Sequence, residues 1–144
     1  MKRLIYSLAF IVSVVAGTSV AAQQSGSLRI EFQGPGGHSS GAYGRVSALH
    51  AAARAVILIQ KALPTGSYQI TNLTGGNSVN SIASDGLIEL KLTAGSAAAY
   101  QALVAAVTKA AAEGAAAENA FRGVKPGDLT SGAPATVRSS VTQF

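Results

Sequence analysis

The apolar and polar residues of this chain follow two different periods in different segments. Over Leu28–Gln33 and Asp85–Thr93, apolar residues alternate with charged or amide residues. A period of two is typical of a strand with one buried face. The same pattern, less regular, predicts strands over Ser67–Leu73 and Thr136–Thr142. We therefore expect four strands.

A helical period occupies the segment between the first and second strands and the segment between the third and fourth strands. The first helix is predicted from about Ala42 to Leu63, ending before Pro64. The second opens at Ser96, a favourable N-cap residue, and continues into an alanine-rich stretch near Asn119. The following residues are expected to share the buried face of the first helix: Val46, Leu49, Ala53, Val56, Ile57 and Leu63.

The predicted element order is β-α-β-β-α-β. Because each strand is apolar on one face only, helices can cover just one side of the sheet. The fold class expected is therefore α+β: a ferredoxin-like two-layer sandwich, with one antiparallel sheet and both helices on one face. At 144 residues, 48% hydrophobic and 12% charged, the chain suits a single folded domain.

The first 22 residues are typical of a secretory signal peptide. Lys2 and Arg3 precede an apolar stretch, and small residues lead to a cleavage site after Ala22. We expect residues 23–26 to form a linker, 27–120 the domain, and 121–144 a loop with a last strand or tail. The mature protein would then be periplasmic or secreted and free of the membrane, whereas an uncleaved segment would anchor it there.

The charged residues exclude some functions. The formal net charge is +5, but two cations lie in the signal segment and the others are scattered singly. A nucleic-acid partner requires a clustered basic surface, so we do not expect one. The chain has no cysteine, which excludes thiol chemistry and thiolate metal ligands.

Candidate chemistry is sparse. Two histidines and six acidic residues, nowhere adjacent, cannot build a two-metal hydrolase site, so no metal ligands are assigned. The glycine-rich turn Gly34–Gly41 lacks the lysine of a phosphate-binding loop. It can be a flexible turn, or its backbone N–H groups can hold an anion or an oxyanion. Composition thus argues against a self-sufficient enzyme.

Two motifs add a resemblance. Gly36-Gly37-His38-Ser39-Ser40 lies between a strand and a long helix, and Gly75-Gly76-Asn77-Ser78-Val79-Asn80-Ser81-Ile82 lies between the second and third strands. In this order they resemble the dimerisation, or lid, domain of the zinc exopeptidases of aminoacylase, glutamate carboxypeptidase and tripeptidase type. The resemblance covers roughly Leu28 to Ala112.

The resemblance implies roles for several residues. His38 would reach across a dimer into a partner's active site and stabilise the oxyanion there. Asn80, with Gly37 and Ser39, would help to hold substrate at the same place. It also implies two-fold pairing of edge strands, with the first helices alongside, and zinc only where a partner's catalytic domain supplies it.

The sequence departs from the family at several points. Ala83 replaces a usual proline, and Thr93 or Ala94 stands where an arginine often binds the substrate carboxylate. The metal ligands of the catalytic domain are absent. We therefore expect a stand-alone or truncated dimerisation domain, not catalytic alone, that self-associates or docks to a full-length exported zinc peptidase.

Two alternatives stay open. The chain can be a fragment of an exported metallopeptidase whose His38 and Asn80 complete a partner's active site. It can also be a small periplasmic ligand-binding module that uses the turn Gly34–Gly41.

Overall fold

The computed structural model describes residues 22–144, so the predicted signal peptide lies outside the described residues except for Ala22. The helices and strands of this part follow one another along the chain with short connections. In chain order they are β1 (Gln24–Gln33), β2 (Gly37–His38), α1 (Ala48–Ala62), β3 (Tyr68–Thr74), β4 (Ser81–Ile82), β5 (Asp85–Ala94), α2 (Ala97–Phe121), β6 (Leu129–Thr130), β7 (Ala133–Pro134) and β8 (Arg138–Gln143).

Four strands form the main sheet, in the order β3-β5-β1-β8, and every neighbouring pair is antiparallel. Helix α1 packs mainly on β5 and α2 on β8 and β5, and the two helices pack against each other. This is the predicted ferredoxin-like sandwich, so the fold class is confirmed. The strand alternation is confirmed as well, because the apolar residues of the two central strands face the helices and are at most 2% exposed: Leu28, Ile30, Phe32, Ile88, Leu90 and Leu92.

The expected linker at residues 23–26 is wrong for Gln24–Gly26, which belong to β1. Their backbones pair with Leu92–Ala94 of β5, and this pairing needs no apolar side chains. Gly26 lies close to α2, since a Cβ there would overlap the hydroxyl group of Tyr100 unless that ring moved. A polar, glycine-containing sequence therefore forms a strand.

Helix α1 begins at Ala48, six residues later than predicted. Gly44 has a φ of 86°, in the left-handed region, which no α-helix accommodates. Ser47 is the actual N-cap, and its Oγ accepts the N–H of His50 at 3.3 Å. The residues from Ala42 to Val46 form the turn that carries the chain from β2 to α1.

The predicted buried face of α1 is wrong in part. Ala53 is exposed, and Ile57 is 52% exposed. The buried residues of α1 are instead four alanines and one isoleucine: Ala48, Ala51, Ala52, Ala55 and Ile59. Small residues lie inward because α2 approaches closely here. A Cβ added to Gly114 of α2 would lie 2.8 Å from Cβ of Ala55 and 2.9 Å from the carbonyl oxygen of Ala51.

The C-terminal segment completes the fold. Ser96 caps α2 as predicted, accepting the N–H of Ala99 at 3.2 Å. After α2, the short hairpin of β6 and β7 leads to β8, which pairs with β1 and confirms the last predicted strand. The domain therefore extends through β8 and does not end near residue 120. Within residues 22–144, no helix combines the length and apolarity needed to cross a membrane.

Candidate functional site

A two-stranded ribbon brings the two sequence motifs together. In the antiparallel pair of β2 and β4, Gly37 faces Ile82 and His38 faces Ser81. Next to this pair, the N–H of Ser39 donates to the carbonyl oxygen of Asn80 at 2.9 Å. The structure thus places His38 and Asn80, which lie 42 residues apart, on the same exposed tip.

The imidazole of His38 is held on both sides. Its Nδ1 lies 3.2 Å from the backbone nitrogen of Ser40 and 2.8 Å from the hydroxyl of Ser40, and its Nε2 lies 3.3 Å from the amide of Asn80. Because a backbone N–H can only donate, Nδ1 accepts and the ring proton belongs on Nε2. The oxygen and nitrogen of Asn80 exchange places by a half-turn of its amide, so its oxygen can accept from Nε2.

Backbone conformation accounts for the glycines of this tip. Gly36 and Gly37 have φ values of 62° and 143°, which residues with a Cβ rarely adopt. A Cβ on Gly37 would also lie 2.6 Å from Cβ of Ala42. The turn therefore needs glycine at position 37. Ser39 takes part in the tip through its backbone N–H, and its side chain is exposed.

An open cleft of about 610 Å³, here called the basic cleft, lies beside this tip. Ser39 and the loop from Gly75 to Val79 form one part of its wall. Two arginines and one histidine also line the cleft, namely Arg45, Arg122 and His50, and none of the lining residues is acidic. Among the described residues, Arg45 is the one arginine of this wall that has no acidic partner, since Arg122 pairs with Glu118.

A buried carboxylate lies behind this wall. Glu118 of α2 is 0% exposed and accepts from the N–H of Ser47 at 3.1 Å, from Nε of Arg54 at 3.0 Å and from Nε of Arg122 at 3.2 Å. His50 Nδ1 lies 3.8 Å from the same carboxylate. Burial alone would raise the pKa of Glu118, but the hydrogen bonds from Ser47, Arg54 and Arg122 outweigh it and hold the pKa below its ordinary value.

Sequence reasoning assigned no role to Ser40, Arg45, Glu118 or Arg122. A signal for Glu118 was present in the helical period of α2. It follows Val107 by 11 residues, three turns along the same face, so an acid was due to face inward. Arg122, four residues further on, was its natural partner. Arg45 and Ser40 lie in a loop, where no period identifies them.

The donor set does not fit a zinc ion. Among residues 22–144, no three side chains of His, Cys, Asp or Glu converge in a way that could hold a metal. His38 has amide and hydroxyl neighbours, and Glu118 is occupied by N–H donors. We therefore derive no reaction step through a metal on these residues.

The two-layer sandwich and the order of its strands are those of a known family of domains. The model of the peptidase dimerisation domain family matches residues 20–119, well over half of the chain. The chain therefore belongs to that family. No curated protein matches it.

Solved structures share the fold. The chain is similar to an aminobenzoyl-glutamate utilization protein from Klebsiella pneumoniae, with a TM-score of 0.63, 17% identity, and coverage of 84% of this chain and 28% of that one. It is also similar to a tripeptidase from Staphylococcus aureus, with a TM-score of 0.62, 18% identity, and coverage of 86% of this chain and 30% of that one. For a hydantoinase/carbamoylase family amidase from Burkholderia ambifaria the TM-score is 0.63 and the identity 19%, with coverage of 87% of this chain and 28% of that one. The chain thus spans less than a third of each of these proteins.

Proposed function

We propose that this chain is a non-catalytic dimerisation module that pairs with a second copy through α1 and β3. The observation that carries the proposal is an apolar flank of α1 that the monomer leaves uncovered, next to a strand at the edge of the sheet. Two residues of this flank, Ala53 and Ile57, were predicted from the sequence to be buried, and in the monomer they are exposed.

The apolar flank lies on the side of α1 that faces away from α2. Ala53 and Ile57 are exposed and Val56 is half-buried, at a spacing that places the three on adjoining positions of the helix surface. Leu73 of β3, 43% exposed, adds a large apolar side chain at the edge of the sheet. A second copy would remove these side chains from water, which is favourable in proportion to the apolar area covered.

The edge strand supports the same arrangement. Among the described residues β3 pairs only with β5, so one row of its backbone groups has no strand partner. Two copies of β3 related by a two-fold axis can pair antiparallel, extending the sheet across both chains. With 15 residues, α1 is about 22 Å long. The seven residues of β3 span about 23 Å, so helix and strand match in length.

Light scattering coupled to size exclusion tests this pairing. We expect the wild-type protein to be a dimer, and Ile57→Lys to be a monomer because it places a charge in the centre of the apolar flank. Leu129→Lys is the matched control, because Leu129 is also a large exposed apolar residue but lies on the β6–β7 hairpin. A wild-type chain that stays monomeric at high micromolar concentration would refute the proposal.

A second function is supported by the His38–Asn80 tip. We propose that this tip completes the active site of a zinc peptidase in trans. The Nε2–H of His38, which donates to the Asn80 amide in the free chain, would donate to a developing oxyanion instead, and Asn80 would hold substrate. Ser40 fixes the ring of His38 through Nδ1, and the side chain is exposed to solvent, which suits that role. The zinc would belong to the partner, since the described residues offer no site for it.

A rescue experiment tests the second function separately. The chain is added to a family peptidase whose own histidine at this position has been replaced by alanine. Turnover should return with the wild-type chain and not with His38→Ala, whereas Ser25→Ala, a change at the opposite end of β1, should rescue like the wild type. Absence of rescue, with a mixed dimer demonstrated by light scattering, would exclude the role in trans.

A further inference from the structure

We propose that Ser40 is a nucleophile that accepts acyl groups from activated esters, with the imidazole of His38 as its general base. The hydroxyl of Ser40 lies 2.8 Å from Nδ1 of His38. This distance is inside the range of about 2.6–3.2 Å that joins a nucleophile to its base. Dimerisation needs no reactive group, so this role goes beyond the proposed pairing of two chains.

The turn from His38 to Ala42 brings this serine back over the ring. The N–H groups of Gly41 and Ala42 both donate to the carbonyl oxygen of His38, at 3.1 and 2.8 Å. The N–H of Ser40 itself lies 3.2 Å from Nδ1, so the backbone and the hydroxyl of one residue meet the same ring nitrogen. Side chains two residues apart do not face each other in a helix. The contact therefore depends on this turn.

The proton positions on the ring suit base catalysis. Because Nδ1 accepts the backbone N–H of Ser40, that nitrogen carries a lone pair and can take the hydroxyl proton of the same residue. The ring proton is on Nε2, which lies 3.3 Å from the amide of Asn80, whose oxygen can accept it. Asn80 is thus a positioning residue that keeps the proton on the far side of the ring. A nucleophile, its base and a group that orients the base are the three parts of a catalytic triad.

The acyl transfer needs only these groups, the ester and water. Oγ of Ser40 forms a bond to the acyl carbon while its proton passes to Nδ1 of His38. The bond between the acyl carbon and the aryl oxygen then breaks, the aryloxide leaves with the electron pair, and the imidazolium gives its proton to solvent. Water next attacks the acyl carbon and gives a proton to the same nitrogen. The departing Oγ takes that proton, so a carboxylic acid leaves and the serine is restored.

Exposure of the tip determines the class of acyl donor. His38, Ser40 and Asn80 are all exposed, so water screens the charge that develops on the acyl oxygen. The two N–H groups that follow Ser40 are bonded to the carbonyl oxygen of His38 and do not point at an oxyanion. A general base contributes about a hundredfold to ten-thousandfold, and a missing oxyanion donor costs about a hundredfold to a thousandfold in kcat. The site therefore suits esters with a good leaving group, such as aryl esters, and not peptide bonds.

Reaction with p-nitrophenyl acetate tests the role of Ser40. Absorbance follows the release of nitrophenolate, and mass spectrometry of proteolytic peptides identifies the acetylated position. We expect one acetyl group per chain on Ser40, formed at least about a hundredfold faster than on Ser140. Ser140 is an exposed serine of β8 and provides the reference in the same sample. The rate should rise with the neutral fraction of His38, which nitrogen NMR measures.

Variants then assign each group, and all of them change exposed side chains outside the core. Ser40→Ala should remove the fast release of nitrophenolate, and His38→Ala should slow acetylation of Ser40 to the rate of Ser140. Asn80→Ala should lower the rate and move part of the ring proton to Nδ1 in the NMR spectrum. Asn80→Asp keeps an oxygen acceptor and should restore the rate where the ring is neutral. Ser140→Ala is the matched control and should leave the rate on Ser40 unchanged.

Three results would overturn the role of Ser40. They are equal acetylation rates on Ser40 and Ser140, an unchanged rate in His38→Ala, or undiminished release of nitrophenolate in Ser40→Ala, which would make the imidazole itself the nucleophile. Light scattering on the same samples reports the oligomeric state independently. A monomer that is acetylated on Ser40 would refute only the dimer, and a dimer without this reactivity would refute only the role of Ser40.

Discussion

Replacing Glu118 by glutamine should destabilise this protein more than any other single change of one acid to its amide. The side chain keeps its shape, but the buried negative charge is lost. The NH2 group of the new amide would point at Arg54 or Arg122, and two donors would then face each other. The bond from the N–H of Ser47 can survive, since glutamine retains one carbonyl oxygen.

The magnitude follows from the contacts and their exposure. Breaking a fully buried ion pair by removing one partner costs about 3–5 kcal/mol. Here the arginine side chains are 36% and 25% exposed, so water can partly rehydrate them after the change. We therefore expect a loss of about 2–4 kcal/mol in the free energy of unfolding. In urea, with a slope of about 1–3 kcal/mol per molar, the midpoint should fall by roughly 0.7–4 M, and by about 1.5 M for the middle of both ranges.

The pH dependence gives an independent signature. Because the pKa of Glu118 is lowered in the folded protein, the stability it contributes is fully present above its unfolded pKa of about 4.3. That contribution is lost as the pH falls through the folded pKa. The wild-type protein should therefore lose stability below about pH 4.3 more steeply than Glu118→Gln does.

Urea denaturation followed by circular dichroism, at neutral pH and at a series of acidic pH values, measures both effects. The matched control is Glu113→Gln on the same helix, where the carboxylate is 53% exposed and lies 3.8 Å from Lys109. That change should cost less than about 1 kcal/mol. The reasoning fails if the two variants lose similar stability, or if Glu118→Gln keeps the acid dependence of the wild type.

Three further predictions concern other parts of the chain. Gly114→Ala should destabilise by about 1–3 kcal/mol in the same urea assay, because backbone atoms of α1 block the new Cβ and outweigh the better helix propensity of alanine; a gain in stability would contradict the close helix contact. Ser96→Ala should cost about 1 kcal/mol through loss of the N-cap of α2, and Ser27→Ala, on β1, should cost less. Nitrogen NMR should find the proton of His38 on Nε2 in the neutral ring, and a proton on Nδ1 would contradict the bond from Ser40.

The sequence predicted the strands and the sheet well, since alternation along a strand reports burial directly. The first helix was harder to read. A search for apolar residues at helical spacing selects Ala53 and Ile57, but these lie exposed, while other alanines of the same helix face the core. Alanine is too common in this chain for its position to reveal a face. The cause is the close contact with Gly114, a relation between helices that no local period shows.

The candidate site was predicted through its motifs, and the structure brings His38 and Asn80 together as adjacent side chains. The basic cleft was not predicted, because Arg45 and His50 lie near the start of α1 and Arg122 lies after the end of α2, and these side chains converge only in the folded chain. Of the deeper residues, Glu118 could have been found by following the period of α2, since a lone acid on an inner face needs partners. The signal-peptide prediction lies outside the described residues and stays a prediction.

The two edges of the sheet limit how far copies of this chain can assemble. If β3 of one copy joined β8 of the next, each addition would expose the same pair of edges again, and the result would be an open filament. The apolar flank of α1 adjoins β3, whereas β8 presents exposed polar and charged residues, with Arg138 at its start. Pairing of β3 with itself consumes the edge that adjoins the apolar flank of α1. The geometry of α1 therefore favours an assembly that stops at two chains.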